Sequence, residues 1–262
     1  MKFKIALAQM DIALGRPHQN LERVKELAHQ AADQAADVLV LPELWSTGYA
    51  LEDAESLATK ENEKILADIC SLAQRYRLHI AGSTLSLVGE GRFGNTLTWA
   101  TSEGTIAQTY TKTHLFRLMN EDKFLAAGDR TDLLETPWGQ AGLSICYDLR
   151  FPELFRKYAL GGAQMIFVPA EWPHPRLMHW RTLLRARAIE NQLFMIACNR
   201  VGREGETSFC GHSAIIDPWG ETLVEGGEDE CLLTAEIDIA KVDEIRSKIP
   251  VFADRRPELY SW

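Results

Sequence analysis

Two patterns of apolar spacing take turns along the chain. "FKIALAQM" and "DVLVLPEL" are short, almost continuously apolar runs, which predict strands buried on both faces. Between them "NLERVKELAHQAADQAA" places Leu21, Val24, Leu27, Ala28 and Ala31 at helical spacing, with Asn20 as the expected N-cap. "ENEKILADICSLAQRYR" repeats the helical pattern and "HIAGSTLSLV" the strand pattern. The chain therefore opens β-α-β-α-β, the signature of an α/β fold.

Farther along, "NTLTWAT" and "TIAQTYTKTHL" predict two strands joined by a glycine-containing turn, and "AGLSICY" another strand. "PELFRKYAL" predicts a helix with Pro152 in its first turn and Gly161-Gly162 closing it. "QMIFVPA", "LFMIACNRV" and "ECLLTAEID" predict strands, and "RLMHWRTLLRARAIENQ" and "IAKVDEIRSKI" helices. "HSAIIDPWGETLVEG" predicts a hairpin turning on Pro218-Trp219-Gly220. The word "PWG" also occurs at Pro137, and two similar turns account for the repeat. No linker or low-complexity stretch interrupts the pattern. The expectation is one domain over 1–262 with mixed strand pairing, ending in an extended tail over 250–262.

Composition narrows the function classes. At 262 residues and 46% hydrophobic, the chain can bury a sizeable core. A formal charge of −9 argues against a nucleic-acid partner, because the overall field repels phosphate. The N-terminus lacks the apolar core and cleavage site of a secretory signal, and no apolar run is long enough to span a membrane. Five scattered cysteines without a CxxC predict a reduced, cytoplasmic chain whose thiols are mostly core.

Several motifs lack the context their chemistry requires. Gly89–Gly94 matches G-x-G-x-x-G, but a β-rich segment follows where a dinucleotide site needs a helix, so a hairpin loop is expected. No G-x-S-x-G elbow is present. Neither Cys210 with His212 nor His174 with His179 has the spacing of a structural zinc site.

Glu43, Lys112 and Cys146 differ, because each follows a predicted strand. Functional groups in α/β sheets gather beyond the carboxyl ends of strands. Taken singly, each has a plain structural explanation: a solvated carboxylate, a surface lysine, a core thiol. Glu43 sits among apolar neighbours in "LPELW", where an unpaired carboxylate is costly, and Lys112 is a suitable partner. Cys146 stands where an apolar strand gives way to the polar turn and helix of "YDLRFPEL", a geometry that exposes a nucleophile.

"LPELWSTGY", "YTKTHLF" and "SICYDLRFPEL" resemble the three signature segments of the nitrilase, or carbon–nitrogen hydrolase, superfamily, in the same order. "FVPAEWP", "RARAIENQ", "CNRVG", "GHSAIIDPWGE" and "IPVFADRRPELY" extend the likeness over nearly the whole chain. Within that superfamily the chain is most similar to the ω-amidases, in particular the bacterial 2-oxoglutaramate amidases of methionine salvage. The resemblance implies a four-layer α-β-β-α sandwich that pairs into homodimers. It also implies a catalytic triad of Glu43, Lys112 and Cys146, with Glu121 in "RLMNEDKF" as a second glutamate.

Such a triad hydrolyses a small amide through a cysteine thioester. Glu43 acts as general base, and Lys112 and the Tyr147 backbone N–H act as oxyanion donors. This chemistry needs no metal and no organic cofactor. A 2-oxo acid amide carries a carboxylate, for which Arg150 is the candidate reader; a salt bridge from Arg150 to Glu153 is the alternative. Glu171 and Trp172, after the strand "MIFVP", are expected to wall the pocket, and plain packing serves equally for Trp172. Other possibilities are a deaminated-glutathione-type amidase, an N-carbamoyl amidohydrolase, a nitrilase proper, or a protein that only binds.

Overall fold

The computed structural model describes residues 1–259; the last three residues of the expected tail, 260–262, lie outside the described residues. The strands are β1 (Lys2–Gln9), β2 (Val38–Val40), β3 (His79–Gly89), β4 (Arg92–Ala100), β5 (Ile106–Thr111), β6 (Leu134–Thr136) and β7 (Gly139–Leu143). They continue with β8 (Met165–Ala170), β9 (Phe194–Asn199), β10 (Arg203–Glu204), β11 (Thr207–Ser208), β12 (Ala214–Ile216), β13 (Thr222–Glu225) and β14 (Cys231–Asp238). The helices are α1 (Pro17–Asp33), α2 (Ala54–Ser56), α3 (Asn62–Tyr76), α4 (Glu121–Phe124), α5 (Pro152–Leu160), α6 (Leu177–Asn191) and α7 (Ala240–Lys248). No described helix is long and apolar enough to cross a membrane.

Two six-stranded sheets result, ordered β14-β1-β2-β3-β4-β5 and β13-β12-β9-β8-β7-β6. Each has three parallel strands at its centre, β1-β2-β3 and β7-β8-β9, with antiparallel strands on either side. The period of two sorts side chains between layers. Ile5, Leu7, Val38 and Val40 join a core shared with Phe167, Val168 and Ile196 of the second sheet. Their neighbours Ala6, Ala8, Leu39 and Leu41 pack on the opposite face against Val24 and Leu27 of α1 and Ile65 and Ile69 of α3. Trp99 of β4 meets Phe167 of β8 across the sheets, ring centroids 5.0 Å apart. A one-residue slip would exchange the two faces, and each large apolar side chain turned out of its layer costs roughly 1.5–3 kcal/mol, so the register is strongly fixed. With α5 and α6 outside the second sheet, this is an α-β-β-α sandwich.

Three sequence expectations need correction. Asn20 does not cap α1. Pro17 begins that helix, because its missing N–H is no loss in the first turn. Asn20 is buried instead and bonds the Ala13 backbone in both directions and the Ser46 carbonyl, tying together the loops after β1 and β2. "DVLVLPEL" pairs only over Val38–Val40, since Pro42 has no N–H to continue a ladder. The strand expected to reach Cys146 ends at Leu143, and Cys146–Arg150 form a 3-10 turn. The glycine-rich match forms the β3–β4 hairpin, and both "PWG" words are hairpin turns, between β6 and β7 and between β12 and β13.

Candidate active site

Glu43 and Lys112 follow strands of the first sheet, and Cys146 and Glu171 follow strands of the second. The inter-sheet seam brings them together. Glu43, Lys112 and Glu121 are fully buried. The Lys112 ammonium donates to Glu43 Oε1 and to Glu121 Oε1, each at 2.7 Å. A lone buried lysine loses charge. Here burial is outweighed by Glu121 and Glu43, which raise Lys112 well above its ordinary value, so it stays an ammonium. Two of its three donors are committed among the described residues, which leaves one.

The two carboxylates are anchored at their other oxygens. Glu43 Oε2 accepts the Glu171 N–H at 2.8 Å, and Glu121 Oε2 accepts the Phe116 N–H at 2.6 Å. Asn95 donates to Glu43 Oε1 at 2.8 Å. The Tyr49 hydroxyl bonds Glu121 at 2.8 Å and Glu43 at 3.3 Å. Burial and these two carboxylates lift the Tyr49 phenol well above its usual range, so it serves as a donor. Burial likewise raises Glu121, against the pull of Lys112.

Cys146 sits in the left-handed region at φ +45°, strained for a residue with a Cβ. Asp148 holds it there. This buried carboxylate accepts the Ile145 N–H at 2.9 Å, the Tyr110 hydroxyl at 2.7 Å and the His114 N–H at 3.1 Å, pinning the nucleophile turn to the segment around Lys112. Arg187 donates to the Leu149 carbonyl from α6 at 2.9 Å and braces the far end of the turn. Asp148 N–H is the first to bond back within the turn, to Ile145 at 3.0 Å, and the Tyr147 N–H precedes it. The Cys146 thiol feels the charges of Glu43 and Lys112. Burial and the Glu43 charge raise it well above its ordinary value, with Lys112 opposing, so the resting group is a thiol.

A narrow cleft opens on Cys146, lined by Phe116, Tyr147, Arg150, Glu171, Trp172 and Arg176. Arg150 makes no ion pair with Glu153. Its guanidinium stacks over Trp172, 4.7 Å from the ring centroid, and lies 3.4 Å from His179 Nδ1. Burial and the neighbouring Arg176 disfavour its charge, and neither guanidinium is ion-paired among the described residues. Trp172 both lines the cleft and packs, at 5.4 Å from Trp180. Glu171 lines the cleft while its carboxylate bonds buried Arg200 at 2.6 Å.

All the residues singled out in the sequence thus lie at or beside one cleft. Tyr49, Asn95, Asp148, Arg176 and Arg200 were missed. Tyr49 stands inside "LPELWSTGY" and Asp148 inside "SICYDLRFPEL", so their placement in signature segments was the available signal. Arg200 stands inside "CNRVG", which also extends the likeness, and Asn95 and Arg176 offered none. The histidines disperse: His174 faces Glu228, and His212 faces Glu225.

A buried thiol beside a carboxylate–lysine–carboxylate row, at the seam of an α-β-β-α sandwich, is the arrangement expected of the carbon–nitrogen hydrolases. The carbon-nitrogen hydrolase family model matches residues 4–247, and the chain belongs to that family. It is 43% identical to the 2-oxoglutaramate amidase of Bacillus subtilis (strain 168), over 99% of this chain and 100% of that one. It is 32% identical to the omega-amidase NIT2 of Homo sapiens, over 99% and 97% of the two chains. Among solved structures, the CN-hydrolase superfamily protein XC1258 from Xanthomonas campestris superposes with a TM-score of 0.91 at 34% identity, covering 98% of each chain.

Proposed function

We infer that the protein is an ω-amidase that hydrolyses the terminal amide of 2-oxoglutaramate to 2-oxoglutarate and ammonia. The observation that carries this is the Cys146 thiol under the charges of Glu43 and Lys112, in a cleft also lined by Arg150 and Arg176, whose guanidinium groups have no ion-pair partner among the described residues. The likeness to the 2-oxoglutaramate amidase supports the substrate.

In the reaction, the substrate amide enters beside Cys146 and its carboxylate lies toward Arg150 and Arg176. As sulfur attacks the carbonyl carbon, the thiol proton passes to Glu43, so no free thiolate has to persist in the buried site. The C–S bond forms and the carbonyl oxygen becomes an oxyanion, stabilised by the uncommitted Lys112 donor and the Tyr147 N–H. Each such donor contributes roughly 3–4 kcal/mol. Glu43 returns the proton to nitrogen, the C–N bond breaks, and ammonia leaves a thioester. Glu43 then takes a proton from water as its oxygen attacks. The C–S bond breaks, the sulfur recovers the proton, and the acid departs. Glu121 and Tyr49 hold Lys112 and Glu43 in register throughout. Trp172 and Phe116 form apolar walls.

The substrate is the 2-oxo acid of glutamine, so a transamination that uses glutamine as amino donor must supply it; methionine salvage contains such a step. A reducing cytoplasm suits the five free thiols. A homodimer is supported by Leu160 of α5 and Ile189 of α6, exposed on the outer face of the second sheet's helices. Light scattering tests the dimer. Ammonia release on 2-oxoglutaramate, succinamate, glutamine and a simple nitrile tests the function. 2-Oxoglutaramate is expected to give the highest kcat/KM, and a preference for the nitrile would overturn the assignment.

A further inference from the structure

Glu171 is 1% exposed, and its two carboxyl oxygens have different surroundings. Oε2 accepts the Arg200 guanidinium at 2.6 Å. Oε1 is buried without a hydrogen-bond partner, on a side chain that lines the cleft beside Cys146. A buried oxygen left unpaired costs about 1–3 kcal/mol, and folded proteins keep such groups chiefly where a partner arrives from outside. Burial, opposed by Arg200 and assisted by Glu43 and Glu204, pushes the Glu171 carboxyl up to about 8. At neutral pH it is therefore an acid that keeps its proton. Since Oε2 accepts from Arg200, that proton resides on Oε1, the oxygen without a partner on a side chain that lines the cleft.

Resting on the function inferred above, we propose that Oε1 of Glu171 reads the 2-oxo oxygen of the substrate and selects 2-oxo acid amides over their 2-amino counterparts. The reach is suitable. The Glu171 N–H bonds Glu43, and Glu171 and Cys146 line the same cleft, so this side chain starts close to the scissile amide. The 2-oxo carbon of 2-oxoglutaramate lies only three carbons farther along, ahead of the carboxylate. A ketone oxygen accepts from an O–H donor. The ammonium of glutamine would meet that donor with no acceptor to pair it, between Arg150 and Arg176. Arg200 and Glu204 face Glu171 from behind, Glu43, Cys146 and Tyr49 from beside it, and Arg150 and Arg176 across the cleft.

The test compares kcat/KM for 2-oxoglutaramate and for glutaramate, which has the same length and carboxylate but no 2-oxo group. Glu171→Leu is expected to lower the ratio of the two by about tenfold or more, since a polar partner is lost from a desolvated site. Glu171→Gln can still accept from Arg200 and donate into the cleft, and is expected to keep the ratio within about threefold of wild type. In the wild type the ratio should fall as pH passes about 8, while in Glu171→Gln it stays flat. Equal losses on both substrates would overturn the assignment and leave the amidase function standing. If Glu171→Leu does not fold, the pH profiles decide, and a ratio that falls alike in wild type and Glu171→Gln also overturns it. Failure of the wild type to hydrolyse 2-oxoglutaramate would instead remove the function on which the proposal rests.

Discussion

Lys112 and Arg200 are both buried, and both hold carboxylates from distant parts of the chain, but the two clusters are built differently. Lys112 touches one oxygen of each of two glutamates and keeps a donor in reserve beside the thiol. Arg200 spreads its fork over Glu171, Glu204, Asp11 and the Ile12 carbonyl and stacks on Phe209 at 4.2 Å. An ammonium is a compact charge with freely rotating protons, suited to a site where negative charge appears and disappears. A planar guanidinium has fixed donors and constant charge, suited to holding a scaffold still. The first cluster is arranged for charge transfer and the second for support. Glu171 joins them, with its N–H on Glu43 and its carboxyl on Arg200.

The largest expected effect lies in the first cluster. Cys146→Ala should lower kcat for ammonia release by at least about 10⁴-fold with the fold retained, as for a lost nucleophile. Residual turnover above one part in a hundred would contradict covalent catalysis. Lys112→Met and Arg200→Met then separate the clusters. Lys112→Met should cost about 10²–10³-fold in kcat through the lost oxyanion donor. Arg200→Met should act first on stability, by a few kcal/mol in urea denaturation, roughly 1–3 kcal/mol for each buried acceptor left unpaired, because it strips the donors from Glu171 and the Ile12 carbonyl. An Arg200→Met protein of normal stability but no turnover would erase the distinction.

Next in size, Arg150→Met and Arg176→Met should each raise KM for carboxylate-bearing amides roughly tenfold to a hundredfold, the worth of a charged hydrogen bond. Propionamide, with no carboxylate, serves as the control, and an equal loss on it would assign these arginines to structure. Tyr49→Phe should reduce kcat by roughly fivefold, about 1 kcal/mol for one hydrogen bond.

The smallest effect is on stability against pH. Folded Glu171 keeps its proton to about 8, whereas an ordinary glutamate releases it near 4.5. Across that window the folded state binds the extra proton, so stability declines as pH rises from 4.5 toward 8. Glu171→Gln should flatten the slope, read as a smaller fall of Tm between about pH 5 and 8 than in the wild type. An unchanged slope would mean that Glu171 releases its proton as an ordinary glutamate does.

Periodicity made most of the layers legible in the sequence. The buried runs of β1, β8 and β9 and the helical spacing of α1, α3 and α6 all form the elements expected of them. Helix starts and strand ends were read less well, because side chains and backbone compete there. Asn20 looked like a cap, yet its amide finds three backbone partners in loops that the sequence does not place. Glu43, Lys112 and Cys146 were visible because each follows a strand inside its own recognisable segment. Asn95 was not, since its partner Glu43 is brought to it only by sheet topology, and Arg200, though inside "CNRVG", was not singled out because Glu171 and Asp11 reach it only in the fold. Arg176 resembled any polar residue ahead of a helix until the turn before α6 set it across the cleft from Arg150.

The position of the site on the seam between the sheets has a consequence for measurement. Glu43 and Lys112 follow strands of one sheet and Cys146 a strand of the other, so under the proposed mechanism turnover reports how well two separately laced layers are aligned. A displacement of about 1 Å can cost 10²-fold in rate, far more than it costs in secondary structure. Turnover is thus a vernier for the sandwich. Substitutions at the Trp99–Phe167 contact, away from any substrate, should dim activity at temperatures where circular dichroism still records intact strands.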